Sequence, residues 1–299
     1  MATAFRPPTF EEATTAVGDL TQFPAILKRA FSPGKDFELI PPPSPGDWLA
    51  EHFEPGQSYD QFVAAGVVKP DSYRNKIYLQ PLGAFMEGRS PSLNALKKFT
   101  SAYFMMATEI LNNIPLSGSL LTSRINPYTG KRQVLTLDVL SLLIKNKPRD
   151  AFCVLAITMD DLYPDPSWNF VFGQASAQDR VGVFSFARYD PDFYGEKRGP
   201  DYEKLLLKRS CKVLAHETCH MFSLAHCVYF RCVMNGSNHL KESDARPLFL
   251  CPVCLRKLHF AIGFNVVQRY EKLLSFFSGE GLGNEARWIK KRLRWILDG

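Results

Sequence analysis

The run His216-Glu217-Thr218-Cys219-His220 sets two imidazoles four residues apart with a carboxylate beside the first. On a helix, residues four apart lie one above the other on one face, so both rings can reach a single ion about 2.0–2.1 Å away. Glu217 is then placed to take a proton from water held at that ion, the arrangement of an HExxH metal hydrolase. His226 comes six residues after His220. On a straight helix it would lie more than one turn further on and rotated away. It can ligate only if the helix stops near residue 223 and the chain turns back. Three His ligands leave the fourth tetrahedral zinc position to water, which distinguishes a catalytic site from a closed structural one.

Cysteines supply a second constellation. Four residues separate Cys227 from Cys232, two separate Cys251 from Cys254, and eighteen lie between the pairs. This is the spacing of a structural zinc site in which four thiolates close the shell. Such a site would pin the loop after the active helix to a helix beginning near Pro252, and the metal would contribute directly to folding. The expected complement is therefore two zinc ions per chain, one catalytic and one structural, with the neighbours His226 and Cys227 serving different ions. Cys153, Cys211 and Cys219 have no partner at ligand spacing and read as packed thiols.

Taken together, these residues resemble the metzincins, whose pattern is HExxH with a third His six residues on. The CxxxxC after that His, Met234 two residues beyond its second Cys, and the later CxxC are similar to the archaemetzincins specifically. The matching motif runs from His216 to Cys254 and does not cover residues 1–75. The resemblance implies a metzincin-like mixed twisted sheet, an active-site helix and a small zinc-stapled helical C-terminal subdomain. It also implies that Met234, otherwise a core residue, forms the Met-turn beneath the zinc. The activity implied is a peptidase of restricted scope, aminopeptidase-like on short peptides. Substrate would add as a strand along a sheet edge, with "NFVFGQA" (169–175) as the edge by analogy. One position departs from the pattern: Ser223 stands where metzincins place Gly at the helix-ending bend. A non-Gly residue held at positive φ costs about 1–3 kcal/mol.

The elements that must position these groups follow from periodicity. Residues 76–85 form a first strand, and Ser90-Pro91 opens a helix with Leu96, Phe99, Tyr103, Met106 and Ile110 along one face. A helix over 137–146 precedes a near-continuous apolar run at 151–163, as in a strand buried on both faces. Short strands at 169–175 and 180–188 lead to a helix from about Tyr202 that carries the motif. Residues 252–277 read as one long helix. The pattern is an α/β domain with a metal-stapled C-terminal part. The expected organisation is an N-terminal extension over 1–75, partly irregular and Pro-rich, and a catalytic domain over 76–299 with subdomains 76–223 and 224–299. Thr9 and Glu12 form a capping-box signature within the extension.

Bulk properties narrow the function. At 299 residues and 45% hydrophobic, the chain can bury a sizeable core. No stretch approaches the roughly 20 apolar residues of a membrane span, and the first residues lack an apolar signal core. The setting expected is cytoplasmic, with the nucleus also compatible, where clustered Cys favour metal over disulfide. A net charge of +6 is mild. The basic stretch Arg287–Trp295 reads as an amphipathic helix with a solvated basic face, so no nucleic-acid partner is expected. The expected partner is a peptide or protein substrate, with no membrane and a monomeric state. Two other classes compete. One is a catalytically weak or inactive zinc-binding protein of metzincin fold, which Ser223 favours and Glu217 opposes. The other is a partner-binding or nucleic-acid-binding zinc ribbon resting on the four-cysteine loop. His239 is expected to be solvated, His259 packed or exposed, and Tyr229 packed rather than an oxyanion donor. Asn235-Gly236-Ser237 matches a glycosylation sequon, but a cytosolic chain would not be modified there.

Overall fold

The computed structural model describes residues 5–117 and 121–299, so the first four residues of the N-terminal stretch fall outside it. Contacts divide the chain into two compact units: one holds the described residues through Lys69 together with Phe222–Gly299, the other Pro70–Met221. Residues 5–69, set apart above as part of an extension, thus share a unit with the C-terminal residues.

Four short helices lie in this N-terminal part: α1 (Phe10–Thr15), α2 (Ala25–Ala30), α3 (Trp48–Glu51) and α4 (Tyr59–Ala64). The Thr9 capping box forms as expected, with Glu12 N–H donating to Thr9 Oγ1 at 3.1 Å and Thr9 N–H to Glu12 Oε2 at 2.7 Å. Ser58 and Gln61 build a second one at the start of α4. The Pro-rich residues 41–45 adopt no regular helix or strand, since Pro lacks the N–H that either ladder needs.

The second unit is built on a five-stranded sheet. Its strands are β1 (Lys76–Leu82), β2 (Ala107–Ile110), β5 (Ala151–Thr158), β7 (Gly173–Ser176) and β8 (Val181–Ser185), in the order β2-β1-β5-β8-β7. A smaller sheet joins β3 (Ser123–Ile125), β4 (Arg132–Leu135) and β6 (Asp161–Tyr163). All pairings of the larger sheet are parallel except β7 with β8. Every residue of β5 and β8 is buried, as strands covered on both faces require. Helix α5 (Leu93–Phe104) follows β1, and α6 (Thr136–Asn146) packs Val139, Leu140 and Leu143 against Val154, Ala156, Val181 and Val183. Helix α7 (Tyr202–Met221) ends the unit.

Two expectations change here. The helix opened at residues 90–91 is capped by Ser92 and stops at Phe104, where Met105 takes a left-handed conformation (φ +54°). Met106 and Ile110 are therefore not on its face, and residues 107–110 instead pair in parallel with β1. The apolar run 151–163 also divides: β5 ends at Thr158, and residues 161–163 cross into the smaller sheet.

The C-terminal part carries α8 (Leu240–Ala245), α9 (Pro252–Ile262), α10 (Val266–Gly279) and α11 (Gly283–Asp298). The single helix expected over 252–277 is two. Gly263 takes φ +79° and closes α9 by donating to the His259 carbonyl at 2.7 Å, and the Asn265 side chain caps α10. The basic face of α11 is not wholly solvated either. Arg292 is fully buried, donating to the carbonyls of Arg29, Ala30 and Ser32 and pairing with Asp36. Trp288 stacks on Phe249 at 3.4 Å between ring centroids. Among the described residues, no helix is long and apolar enough to cross a membrane.

Candidate metal centres

Helix α7 brings the two histidines of the first motif together. His216 is buried, and its Nε2 lies 3.1 Å from Nε2 of His220, with the rings edge to face. Two nitrogens each about 2.0–2.1 Å from a tetrahedral ion lie about 3.3 Å apart, so the observed pair fits one zinc. Glu217 lies on the same turn, half-buried. The helix stops at Met221, and Ser223 adopts φ +66°. The bend expected at that residue is present, and a serine adopts it.

His226 belongs to the first unit. Its Nδ1 is 2.8 Å from Glu54 Oε1. An ionised carboxylate only accepts, so Nδ1 carries the proton and Nε2 is the nitrogen suited to a metal. The Trp48 and His226 rings meet in a T-shaped contact, and Trp48 donates from Nε1 to the same Glu54 oxygen at 2.9 Å.

The second constellation converges fully. Cys227, Cys232, Cys251 and Cys254 are buried, with their four Sγ atoms all within 4.8 Å of one another. Cys227 and Cys251 stand 3.6 Å apart, far beyond the roughly 2.05 Å of a disulfide and close to the roughly 3.8 Å edge of a zinc–thiolate tetrahedron. Cys251 N–H donates to Cys232 Sγ at 3.2 Å. Burial pushes the Cys227 thiol up, but hydrogen bonds from Cys232, Cys251 and Cys254 outweigh it and hold Cys227 well below its ordinary value. Cys251, through burial first, and Cys254, through its bond to Cys227 first, sit well above theirs. Four buried sulfurs this close can all be thiolates only around a cation. That is the chemistry of a zinc ligand set.

Met234 is fully buried, and its carbonyl accepts the Cys227 N–H at 2.8 Å. Cys153, Cys211 and Cys219 are buried thiols, as expected; burial pushes Cys153 up to about 12. Tyr229 packs against the cluster of Ile40, Leu49 and Val228. Burial, then the charge of the neighbouring Cys227, Cys254 and Cys251, moves its hydroxyl up to about 12. His259 is packed, edge-on to Phe31 and Phe264.

His239 is exposed, as expected, but it is not idle. It is the N-cap of α8, accepting the Glu242 N–H at Nδ1 (3.2 Å) and lying 3.0 Å from Asp47 through Nε2. With Asp47 and Glu242 it forms a third group of potential ligands. The Glu242 oxygens already accept the Trp48 and Asn238 N–H groups, at 2.9 and 2.7 Å. The group is a helix-capping network.

Sequence reasoning also passed over Asn235. Its side chain accepts the Cys232 N–H at 2.8 Å and donates to the Cys227 and Phe230 carbonyls at 2.7 and 3.0 Å. The sequon residue thus ties the cysteine loop. Its place directly after Met234 is a signal only once that loop is known to be tight.

Comparison with known proteins places these residues in context. Residues 135–260 match the model of Peptidase family M54. Archaemetzincin-2 of Macaca fascicularis is 41% identical over 286 residues, covering 86% of this chain and 79% of the relative. Archaemetzincin-2 of Homo sapiens is 42% identical over 283 residues, covering 85% and 79%. Among solved structures, a zinc-dependent peptidase from Methanocorpusculum labreanum aligns at TM-score 0.48 and 26% identity, over 61% of this chain and 99% of that one.

Proposed function

From the premise that the chain belongs to the archaemetzincins, peptidase family M54, and is a zinc metallopeptidase, we propose that His216, His220 and His226 hold its catalytic zinc. Cys227, Cys232, Cys251 and Cys254 hold a second, structural zinc. The observation that carries the reading is the 3.1 Å convergence of the two Nε2 atoms on α7. The positive φ at Ser223 supports the third ligand, because it ends the straight path that would carry His226 away.

A zinc ion held by His216, His220 and His226 would supply Lewis acidity for a peptide carbonyl and would lower the pKa of water. Glu217 is the general base: it accepts the proton of the attacking water and later delivers it to the departing amine. Met234 underlies the turn that carries the third ligand.

Substrate adds as a strand along β7, the terminal strand of the larger sheet. The usable edge is shorter than the sequence implied. The Asn169 carbonyl already accepts from Arg124, Asn126 and Gln133, and Val171 bridges Leu162. That leaves Gly173–Ser176 as the docking strand. The thiol cluster suits a reducing compartment, the cytoplasm or nucleus.

The preferred reaction is removal of N-terminal residues from short peptides. Fluorogenic peptides with free and with acetylated N-termini test it, beside a His220→Ala control. Hydrolysis of the free-ended series alone, lost in the control, is expected. Equal cleavage of the acetylated series would replace trimming with internal cutting. No cleavage of either by a protein holding two zinc ions would leave a zinc-binding protein without peptidase activity.

A further inference from the structure

The N-terminal part contributes a short segment, residues 54–57, that reaches both the stretch carrying His226 and the helix that holds Cys254. Glu54 meets His226 Nδ1 at 2.8 Å. Two residues on, Gly56 runs so close to Val228 and Tyr229 that a Cβ would fall 2.5 Å from Val228 Cγ2, and its φ is +75°. Gln57 then grips the bend itself, donating from Nε2 to the Ser223 carbonyl at 3.3 Å and accepting the Ala225 N–H at Oε1 (3.1 Å). Lys257, buried three residues beyond Cys254 on α9, donates to the Gln57 carbonyl and to Gln57 Oε1. The chain 223–228 is thereby held at its backbone by Gln57 and at its imidazole by Glu54.

We propose that residues 54–57 form a positioning strap for the third zinc ligand, with Glu54 as the residue that fixes the tautomer and the ring orientation of His226. The inference rests on the reading of His226 as a zinc ligand. A neutral imidazole has one nitrogen for a proton and one for a metal, and the hydrogen bond at the first decides which is which. A carboxylate at Nδ1 locks the proton there, presents Nε2 to the ion, and makes the imidazole a stronger donor by accepting part of its positive charge. Trp48 steadies the carboxylate through its Nε1–H bond to the same oxygen, 2.9 Å long. The strap also explains how a serine is kept at positive φ: Gln57 holds the peptide groups on both sides of residue 224, so the bend is over-determined from outside. Gln57 lies 166 positions before Ser223 and Glu54 lies 172 before His226, and only the fold brings them together.

Zinc affinity is the readout, measured by chelator competition on the full chain, with cobalt(II) substitution to tell the sites apart. Thiolate-to-metal charge-transfer bands report the four-cysteine site, and weaker ligand-field bands report the histidine site. Glu54→Ala is expected to weaken zinc at the histidine site by about 10–100-fold, the usual effect of losing a partner of a metal-bound His, and to leave the thiolate bands intact. Glu54→Gln keeps an acceptor for Nδ1–H and is expected to recover most of that loss. Gln57→Ala should weaken the same site in the same direction. Unchanged affinity in Glu54→Ala would overturn the proposal. So would loss of both ions together, which would assign Glu54 to folding of its unit. His226→Ala separates this test from the premise: if that variant binds zinc as tightly as the parent, the three-histidine site itself is wrong.

Discussion

At the scale of single residues, the account turns on how a bend is held and a ligand aimed. Ser223 occupies the left-handed region, where glycine is unstrained. Gln57 binds only main-chain atoms around it, so those bonds survive substitution. Ser223→Gly is expected to stabilise the chain by about 1 kcal/mol, less the extra freedom glycine brings to the unfolded state. Thermal denaturation reads this as a rise in Tm; an unchanged Tm would mean that the bend stores no strain. Asn235 is the complementary case. Asn235→Ala removes three hydrogen bonds from buried backbone groups, at about 1 kcal/mol each. It should speed zinc release from the thiolate site, followed with a chromogenic chelator. The candidate metal ligands themselves were legible in the sequence because ligand chemistry is concentrated in few residue types at short spacing. Glu54 and Gln57 were not, since no spacing rule links residues so far apart in the chain.

At the scale of elements, the sequence was legible where periodicity and burial agree and misleading where one local conformation interrupts them. β1, α6, β8 and α7 stand where the pattern set them. The helical period continues through Gly263 and Asn265, yet the first is an αL helix stop and the second an N-cap, signals that periodicity alone overrode. The same holds at Met105, whose positive φ turns the predicted helix face into strand β2. In the second unit, Arg188 and Asp161 form a buried bidentate pair, both bonds 2.8 Å long. Arg188→Met would strand the aspartate and cost about 3–5 kcal/mol, measurable by urea denaturation; a loss under about 1 kcal/mol would mean that water solvates Asp161. In α9, burial holds the His259 pKa below its usual value. The folded chain therefore binds this proton less readily than the unfolded one. The contribution is present above the unfolded pKa of about 6.5 and is lost as pH falls through it. Parent and His259→Leu proteins should then diverge as pH drops from about 7 to 5, the parent losing stability faster. Parallel curves would contradict the assignment.

At the scale of the whole molecule, the chain divides into two units, with its larger sheet in one and its cysteine centre in the other. The N-terminal residues were unreadable as a partner of the C-terminal ones because their helices are short and Pro-rich connections separate them. What joins them to α11 and α9 is a set of buried cation–carbonyl contacts, made by Arg292, Arg256 and Lys257. The central claim is that Glu217 beside a histidine-bound zinc makes this chain a peptidase. Its most direct test is mass spectrometry of a peptide library incubated with the zinc-loaded protein and, in parallel, with Glu217→Ala of equal zinc content. The account predicts products from the parent that the variant forms at least about 100-fold more slowly, with ends that locate the cut. Equal product from both proteins, or none from either while each holds two zinc ions, would contradict it.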